Sequence, residues 1–125
     1  MFTIHTDTRR RLVMIKIAGM LTIDQVRELY RQEHDAIRAM GCPIGEHLVL
    51  VDLTACPLQL QDIVGAFKNG IEASTKAKRL AMVTGSSLAR MQARRILRRS
   101  DAGMFETEAE ALAWMFGSGA VRQAA

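Results

Sequence analysis

The chain has little of what several specialised protein classes need. Among its 125 residues are two cysteines, two prolines and one tryptophan, and aromatic residues make up 5%. Two cysteines cannot build the disulfide framework of a small secreted domain, so we expect Cys42 and Cys56 to be buried free thiols in a cytoplasmic protein. Arginines at positions 9–11 interrupt the N-terminus before any apolar core of signal-peptide length. No uncharged apolar run approaches the roughly 20 residues of a membrane span.

Common catalytic and metal-binding motifs are also missing. The sequence has no phosphate-binding glycine loop, and no pattern that pairs a nucleophile with a base. The histidines, His5, His34 and His47, lack sequence-local partners at metal-ligand spacing and are predicted to lie at the surface or at strand ends. We therefore expect no metal and no cofactor.

The net charge of +4 is concentrated in one segment. Residues 90–99 contain no acid and five arginines, and subtracting these five charges leaves −1 for the rest of the chain: Arg90, Arg94, Arg95, Arg98 and Arg99. Such a basic stripe could face nucleic acid, an anionic membrane or an acidic partner. A solvated helix face is the commoner explanation, and the absence of interleaved aromatic residues disfavours single-stranded nucleic acid.

What the chain does have is two short, strongly apolar runs, at residues 48–53 (LVLVDL) and 80–85 (LAMVTG). Each run is too short for a helix and is followed by a polar turn and an amphipathic segment. This pattern is typical of strands that are buried on both faces of a parallel sheet.

The remaining periodicity completes the order ββαβαβαβα. Alternating residues at 2–6 and 13–17 predict an antiparallel hairpin, and a short last strand is predicted at 103–105. Helices are predicted over about 23–40, 60–75 and 87–99, with a fourth after Thr107; Thr22 and Thr107 are the expected N-caps. The residues assigned to the apolar faces of the second and third helices include Leu60 and Leu88, and Gly65 and Gly70 are expected to permit close backbone contact.

These elements predict one α/β domain over residues 1–116 and a flexible tail over 117–125. Repeated strand–helix–strand units imply an open, mostly parallel five-stranded sheet with right-handed crossovers, about four helices and an antiparallel first strand.

Four segments carry a family resemblance when they are taken in this order: IAGMLT at 17–22, LVDL at 50–53, RLAMV at 79–83 and FETEAEALAWM at 105–115. The chain resembles the SpoIIAA-like family of small stand-alone bacterial proteins and, more distantly, the STAS domain of anti-sigma-factor antagonists and sulfate-transporter tails. The resemblance covers residues 1–116 and implies a fold related to that of the lipid-binding CRAL-TRIO domain.

One departure from the anti-sigma antagonists limits what this resemblance implies. Those proteins carry an Asp-Ser-Ser-Gly-like motif at the start of the second helix, where a serine is phosphorylated to switch partner binding. The corresponding segment here, residues 57–63 (PLQLQDI), contains no hydroxyl. A phosphoswitch needs a hydroxyl to modify, so we expect none at this place.

The expected ligand site lies beyond the carboxyl ends of the parallel strands. Its candidate residues are Thr54, Cys56, Thr84, Ser86, Ser87 and Arg90. The serines begin a helix whose free N–H groups could hold an anion, although N-capping is the commoner use of serine there. An alternative is a small enzyme that uses Cys56 or Ser86 as its nucleophile. The predicted layout places no histidine near these strand ends to act as base, which disfavours that alternative.

Glu33 falls within the apolar arc of the first helix, where a carboxylate is costly unless it is paired or lies at an interface. It could mark a pocket, a subunit contact, or a side chain that reaches round the helix to an arginine. With Tyr30 it forms the candidate interface of a homodimer, in which Arg27 or Arg31 would pair with Glu33. Four helices cover such a sheet thinly, which predicts an exposed apolar patch near its N-terminal edge: Met14, Met20, Tyr30 and Met40.

We therefore predict a non-enzymatic STAS-like binding or interaction module that acts through a protein partner or holds a small apolar or anionic ligand. Eight methionines are consistent with an adaptable hydrophobic pocket. No nucleic-acid partner is expected, and membrane contact is expected to be peripheral at most.

Overall fold

The computed structural model describes residues 1–74, 76–96 and 101–116. The predicted tail, and with it Arg98 and Arg99 of the basic stripe, lie outside the described residues. The strands are β1 (Phe2–Asp7), β2 (Leu12–Ala18), β3 (Leu48–Ala55), β4 (Arg79–Val83) and β5 (Ala102–Phe105). The helices are α1 (Ile23–Met40), α2 (Gln61–Ala73), α3 (Ser87–Ile96) and α4 (Glu108–Met115).

The five strands form one sheet in the order β1-β2-β3-β4-β5. β1 pairs with β2 antiparallel, and every other neighbouring pair is parallel. The predicted fold class and element order are therefore confirmed.

Local sequence signals set the ends of the helices. Thr22 caps α1, since its hydroxyl accepts from the Gln25 N–H while the Gln25 side chain accepts from the Thr22 N–H. Gly41 ends α1 in the left-handed conformation (φ 69°), which glycine adopts without steric cost. Thr107 caps α4 by accepting from the Glu110 N–H. Both predicted N-caps are confirmed.

The sheet separates two apolar layers. Along β3, Val49 and Val51 face the layer formed with α1, α2 and α3, while Leu48 and Leu50 face the layer formed with α4. This alternation explains why β3 reads as a continuous apolar run.

Helix α4 alone covers the apolar part of its face of the sheet, because the rest of that face is polar. By strand register, Thr3, His5, Lys16 and Asp52 point to this side, beyond the part that α4 covers. Of the residues predicted to form an exposed apolar patch, only Met20 is exposed; Met14, Tyr30 and Met40 are partly buried. The expected patch is therefore not formed by these residues, and the homodimer stays a prediction.

Helix α2 packs mainly against α1 and α3 and stands off from the sheet. Only Ile63 of this helix is fully buried. The assignment of Leu60 and Leu88 to buried faces is wrong, because they are 63% and 61% exposed. Leu60 is the extended N-cap residue of α2, and Leu88 lies in the first turn of α3, so both precede the part of the helix that packs inward.

Gly70 of α2 is the point of closest approach to α1. A Cβ atom at Gly70 would overlap the Tyr30 ring, whereas one at Gly65 would meet nothing within 4 Å. The expectation of close backbone contact therefore holds at Gly70 and is wrong at Gly65.

These two glycines give a matched prediction. Gly65→Ala is expected to stabilise the protein by about 0.5–1 kcal/mol, because alanine restricts the unfolded chain and favours the helix. Gly70→Ala is expected to destabilise it by about 1–2 kcal/mol, because the new methyl displaces the Tyr30 ring. Urea unfolding of both variants measures the difference. Equal stabilisation by the two substitutions would contradict the close contact.

Candidate functional site

The carboxyl ends of β3 and β4 meet as expected, but their candidate residues do not converge on one open site. A Cβ atom at Gly85 would lie 3.4 Å from the Thr54 carbonyl oxygen. The Thr54 hydroxyl donates to Asp52 Oδ1 at 2.7 Å, and Thr84 is almost completely buried. Ser86 and Ser87 are exposed at the start of α3.

The arginines of α3 are in two different environments. Arg90 is half-buried, and its Nη2 lies 3.6 Å from Glu106 Oε1, which leaves less positive charge for an anion at this helix start. Arg94 and Arg95 are exposed on the outer side of α3. The roles assigned to these residues stay predictions.

The most prominent internal feature is a cavity of about 300 Å³ between the sheet and helices α1, α2 and α3. The cavity exists because α2 packs against α1 and α3 and does not pack closely on the strands. Its floor is formed by Val49, Val51 and Leu53 of β3, and α2 closes it with residues that are only partly buried: Val64, Phe67 and Ile71. Most of the wall is apolar.

Glu33 is the buried carboxyl group of this cavity. The residue is 8% exposed, and burial raises its pKa to about 7. Within the described residues no hydrogen bond or ion pair reaches it. The expected partners are engaged elsewhere: Arg31 lies 2.6 Å from Glu28 and 3.1 Å from Asp35, and Arg27 lies 3.7 Å from Asp24. Glu33 thus lines the cavity, and its assignment to a subunit interface stays a prediction.

Tyr30, three residues earlier in α1, also faces the cavity. Its hydroxyl donates to the Phe67 carbonyl oxygen at 2.9 Å, and the two rings meet edge to face at 6.3 Å. Burial, and secondarily the nearby Glu33 carboxylate, raise the pKa of Tyr30 above its usual value. The tyrosine ties α1 to α2, and its assignment to a subunit interface stays a prediction.

Gln59 closes the cavity at the carboxyl end of the strands, and sequence reasoning missed it. Its Oε1 accepts from the Leu21 N–H at 3.0 Å, and its Nε2 donates to the carbonyl oxygens of Gly19 (3.1 Å) and Pro57 (2.9 Å). The backbone of Gln59 bonds the Gln92 side chain twice, as donor to Oε1 and as acceptor from Nε2, both at 3.1 Å. A glutamine in a loop carries no local signal of such a role.

Cys56 lines the same end of the cavity. Burial raises the pKa of its thiol, and the opposing effect of the hydrogen bond from Gln59 Nε2 is smaller. Such a thiol is protonated at neutral pH and is a weak nucleophile. Cys42 and Cys56 are both free, as expected, but only partly buried.

His47 lines the opposite end of the cavity, next to Ala77 and Lys76. It directly precedes β3, so its predicted strand-end position is confirmed, but at 1% exposed it is buried rather than at the surface. His47 and Leu53 lie roughly 20 Å apart along β3, and Cys56 follows after a turn in which its N–H donates to the Leu53 carbonyl oxygen, so His47 is too far away to act as a base for that thiol. Among the described residues, no three His, Cys, Asp or Glu side chains form a group that could hold a metal ion.

The mixed five-stranded sheet, its antiparallel first strand and its four helices define a STAS-like α/β module. The chain belongs to the SpoIIAA-like family, whose model matches residues 12–115. It is similar to the crystal structure of an uncharacterized protein from Shewanella loihica PV-4 with a SpoIIAA-like fold, at a TM-score of 0.68 and 19% identity over 92% of each chain. That likeness shows the fold.

No curated protein matches the sequence. In the part of the chain that the structure describes, no helix is long and apolar enough to cross a membrane.

Proposed function

We propose that this protein is a non-enzymatic binding module that holds a small, elongated, mainly apolar ligand in the cavity beneath α2. The main support for this function is the size and the lining of the cavity. Protein interiors pack as densely as organic crystals, and a site for one water needs only about 10–15 Å³. A space of about 300 Å³ lined by aliphatic and aromatic side chains is of the size that ligand sites occupy.

The shape favours an elongated ligand. The cavity reaches from His47, before β3, to Cys56, just after it, and touches the inward-facing residues between them. The seven residues from His47 to Leu53 span roughly 20 Å of strand. An extended hydrocarbon chain or a flat apolar molecule suits this space better than a compact polar one.

The charge favours a neutral ligand over an anionic one. Glu33 is the buried acid of the cavity, and a ligand carboxylate or phosphate beside it would meet like charge at low dielectric. Below its pKa of about 7, the protonated Glu33 can donate a hydrogen bond to a ligand carbonyl or hydroxyl. We therefore favour the apolar ligand over the anionic alternative.

Two further observations support binding rather than a catalytic or phosphoregulated role. The raised pKa of Cys56 and its distance from His47 weaken the case for a cysteine nucleophile. Helix α2 begins at Gln61 after Leu60, which supplies no side-chain cap, so the hydroxyl of the anti-sigma switch has no counterpart there.

A matched pair of substitutions tests the cavity. Ala93 of α3 lines it, whereas Ala111 of α4 is equally buried but packs against the other face of the sheet. Ala93→Leu is expected to fill empty space at little or no cost in stability and to weaken binding of the neutral probe N-phenyl-1-naphthylamine by at least about tenfold. Ala111→Leu is expected to cost about 1–3 kcal/mol of stability and to leave probe binding unchanged.

Fluorescence titration and urea unfolding provide these two measurements. Native mass spectrometry of freshly purified protein adds the mass of any co-purified ligand, and a mass of twice 13.9 kDa would confirm the homodimer. Equal probe affinity in wild type and Ala93→Leu, or no probe binding in wild type, would overturn the proposed function.

A further inference from the structure

Six exposed aliphatic side chains lie around the carboxyl end of the sheet. They come from three separate segments and are between 37% and 63% exposed. We call them the apolar rim: Met20, Ile23, Leu58, Leu60, Leu88 and Met91. Large exposed apolar side chains occur singly on most proteins, but a group of them marks a contact surface.

Hydrogen bonds of Gln59 hold the three segments together. Gln59 accepts from the Leu21 N–H, which places it beside Met20, and its backbone bonds the side chain of Gln92, the neighbour of Met91. Leu58 and Leu60 flank Gln59 in the chain. The rim therefore surrounds the end of the cavity that Gln59 closes.

The charge next to the rim is positive. On α3, Leu88, Met91 and Arg95 follow one another at three- and four-residue spacing, so they share one face of the helix. Arg94 and Arg95 are exposed, and neither forms an ion pair with a carboxylate in the described part of the chain. Two acids lie within two residues of the rim in sequence: Asp24, which faces Arg27, and Asp62. Arg90 of α3 faces Glu106.

We propose that the apolar rim and the arginines of α3 dock this protein on the surface of an anionic lipid bilayer. This inference goes beyond the proposed ligand binding, because it concerns the outer surface and its partner. Aliphatic side chains can enter the boundary between headgroups and acyl chains while neighbouring guanidinium groups reach lipid phosphates. Exposed arginines beside aliphatic side chains complement the phosphates and the acyl-chain boundary of an anionic bilayer, and this charge complementarity favours a bilayer as the partner.

Docking of this kind would bring the Gln59 end of the cavity to the lipid surface. An apolar ligand could then move between bilayer and cavity without crossing bulk water. Docking itself requires no such transfer.

Vesicle sedimentation tests the docking surface. We expect wild-type protein to bind vesicles of phosphatidylcholine with about 30% phosphatidylserine, to bind pure phosphatidylcholine vesicles far more weakly, and to lose most of its binding in high salt. The double variant Arg94→Gln/Arg95→Gln is expected to bind the anionic vesicles roughly 30-fold less well. Leu60→Ser/Leu88→Ser is expected to lower binding at least about tenfold.

Matched controls lie away from the rim. Arg9→Gln/Arg11→Gln removes the same charge from exposed positions in the β1–β2 turn, and Ile44→Ser removes an aliphatic side chain that is 91% exposed near the amino end of β3. Both are expected to change vesicle binding by less than about twofold, and circular dichroism of all variants verifies folding.

Three results would overturn the proposal: no binding of wild type to the anionic vesicles, equal loss of binding in the control and rim variants, or a dimer that the rim variants dissociate. In the last case a second copy of the chain covers the rim. Titration of wild type and the same rim variants with N-phenyl-1-naphthylamine distinguishes a failure of the docking proposal from a failure of the proposed ligand binding in the cavity. Probe binding without vesicle binding refutes only the docking surface, and vesicle binding without probe binding refutes only the ligand site.

Discussion

Glu33→Gln is expected to make the protein more stable at neutral and alkaline pH and to change its stability little near pH 4.5. Burial holds the pKa of Glu33 at about 7 in the folded protein, against 4.5 for an unperturbed glutamate. Between these values the folded state binds a proton that the unfolded state lacks, so this group's contribution to stability decreases as pH rises. Above about pH 7 the penalty is complete and is on the order of 3 kcal/mol.

The measurement is the difference in unfolding free energy between variant and wild type, followed by urea unfolding from about pH 4.5 to 8.5. The difference should increase with pH and level off above the folded pKa. Other titratable groups line the cavity, and they are common to both proteins, so the difference isolates Glu33: Tyr30, His47, Cys56, Glu72 and Lys76.

Asp35→Asn is the control for this comparison, since Asp35 is exposed on the same helix and pairs with Arg31 at the surface. Its effect should stay within about 0.5 kcal/mol across the range, as is usual for surface pairs. A flat difference for Glu33→Gln would mean that the carboxylate is ionised and compensated in the folded protein, contrary to its placement in the cavity.

Gln59→Ala is expected to destabilise the protein by about 3 kcal/mol, a large share of the 5–15 kcal/mol that such a domain has in total. The alanine variant leaves the buried Leu21 N–H and the Gly19 carbonyl oxygen without the partners that Gln59 supplies. Each buried polar group that loses its partner costs about 1–3 kcal/mol. In urea unfolding, this loss of stability lowers the midpoint concentration and leaves the dependence of the unfolding free energy on urea concentration unchanged.

Gln61→Ala serves as the matched control, because Gln61 is an exposed glutamine two residues further along the chain, at the first position of α2. Its cost should stay below about 0.5 kcal/mol. A Gln59→Ala variant that is as stable as the Gln61→Ala variant would show that water replaces the Gln59 side chain without cost. The closure of the cavity would then not depend on Gln59.

The sheet was predictable from sequence because its signals are strong and local. A strand covered on both faces needs apolar residues at every position, and the runs in β3 and β4 satisfy that need. The caps at Thr22 and Thr107 were predictable for a similar reason, since each cap depends on residues within one helical turn. Order and spacing of these elements also carried the resemblance to the SpoIIAA-like family, which the family match confirms.

Burial near helix starts was less predictable. Leu60 and Leu88 match the apolar period of their helices, yet both are exposed, because periodicity aligns residues on one face without showing what covers each turn. The strand-end position of His47 was predictable but its burial was not: a polar residue at a strand end is usually solvated, whereas here the residues around β3 and α2 cover it.

Sequence alone determined the elements, their order, the parallel sheet and the family, because each depends on short-range pattern or on connection rules. Only the tertiary structure decided the cavity and its polar groups. Gln59 bonds Leu21 and Gln92 across 38 and 33 residues, and Tyr30 bonds Phe67 across 37, so no local window contains both partners. Helix α2 packs on α1 and α3 at a distance from the sheet, and this arrangement leaves the cavity that Glu33 lines. It results from how three helices pack together, which the periodicity within one helix does not encode.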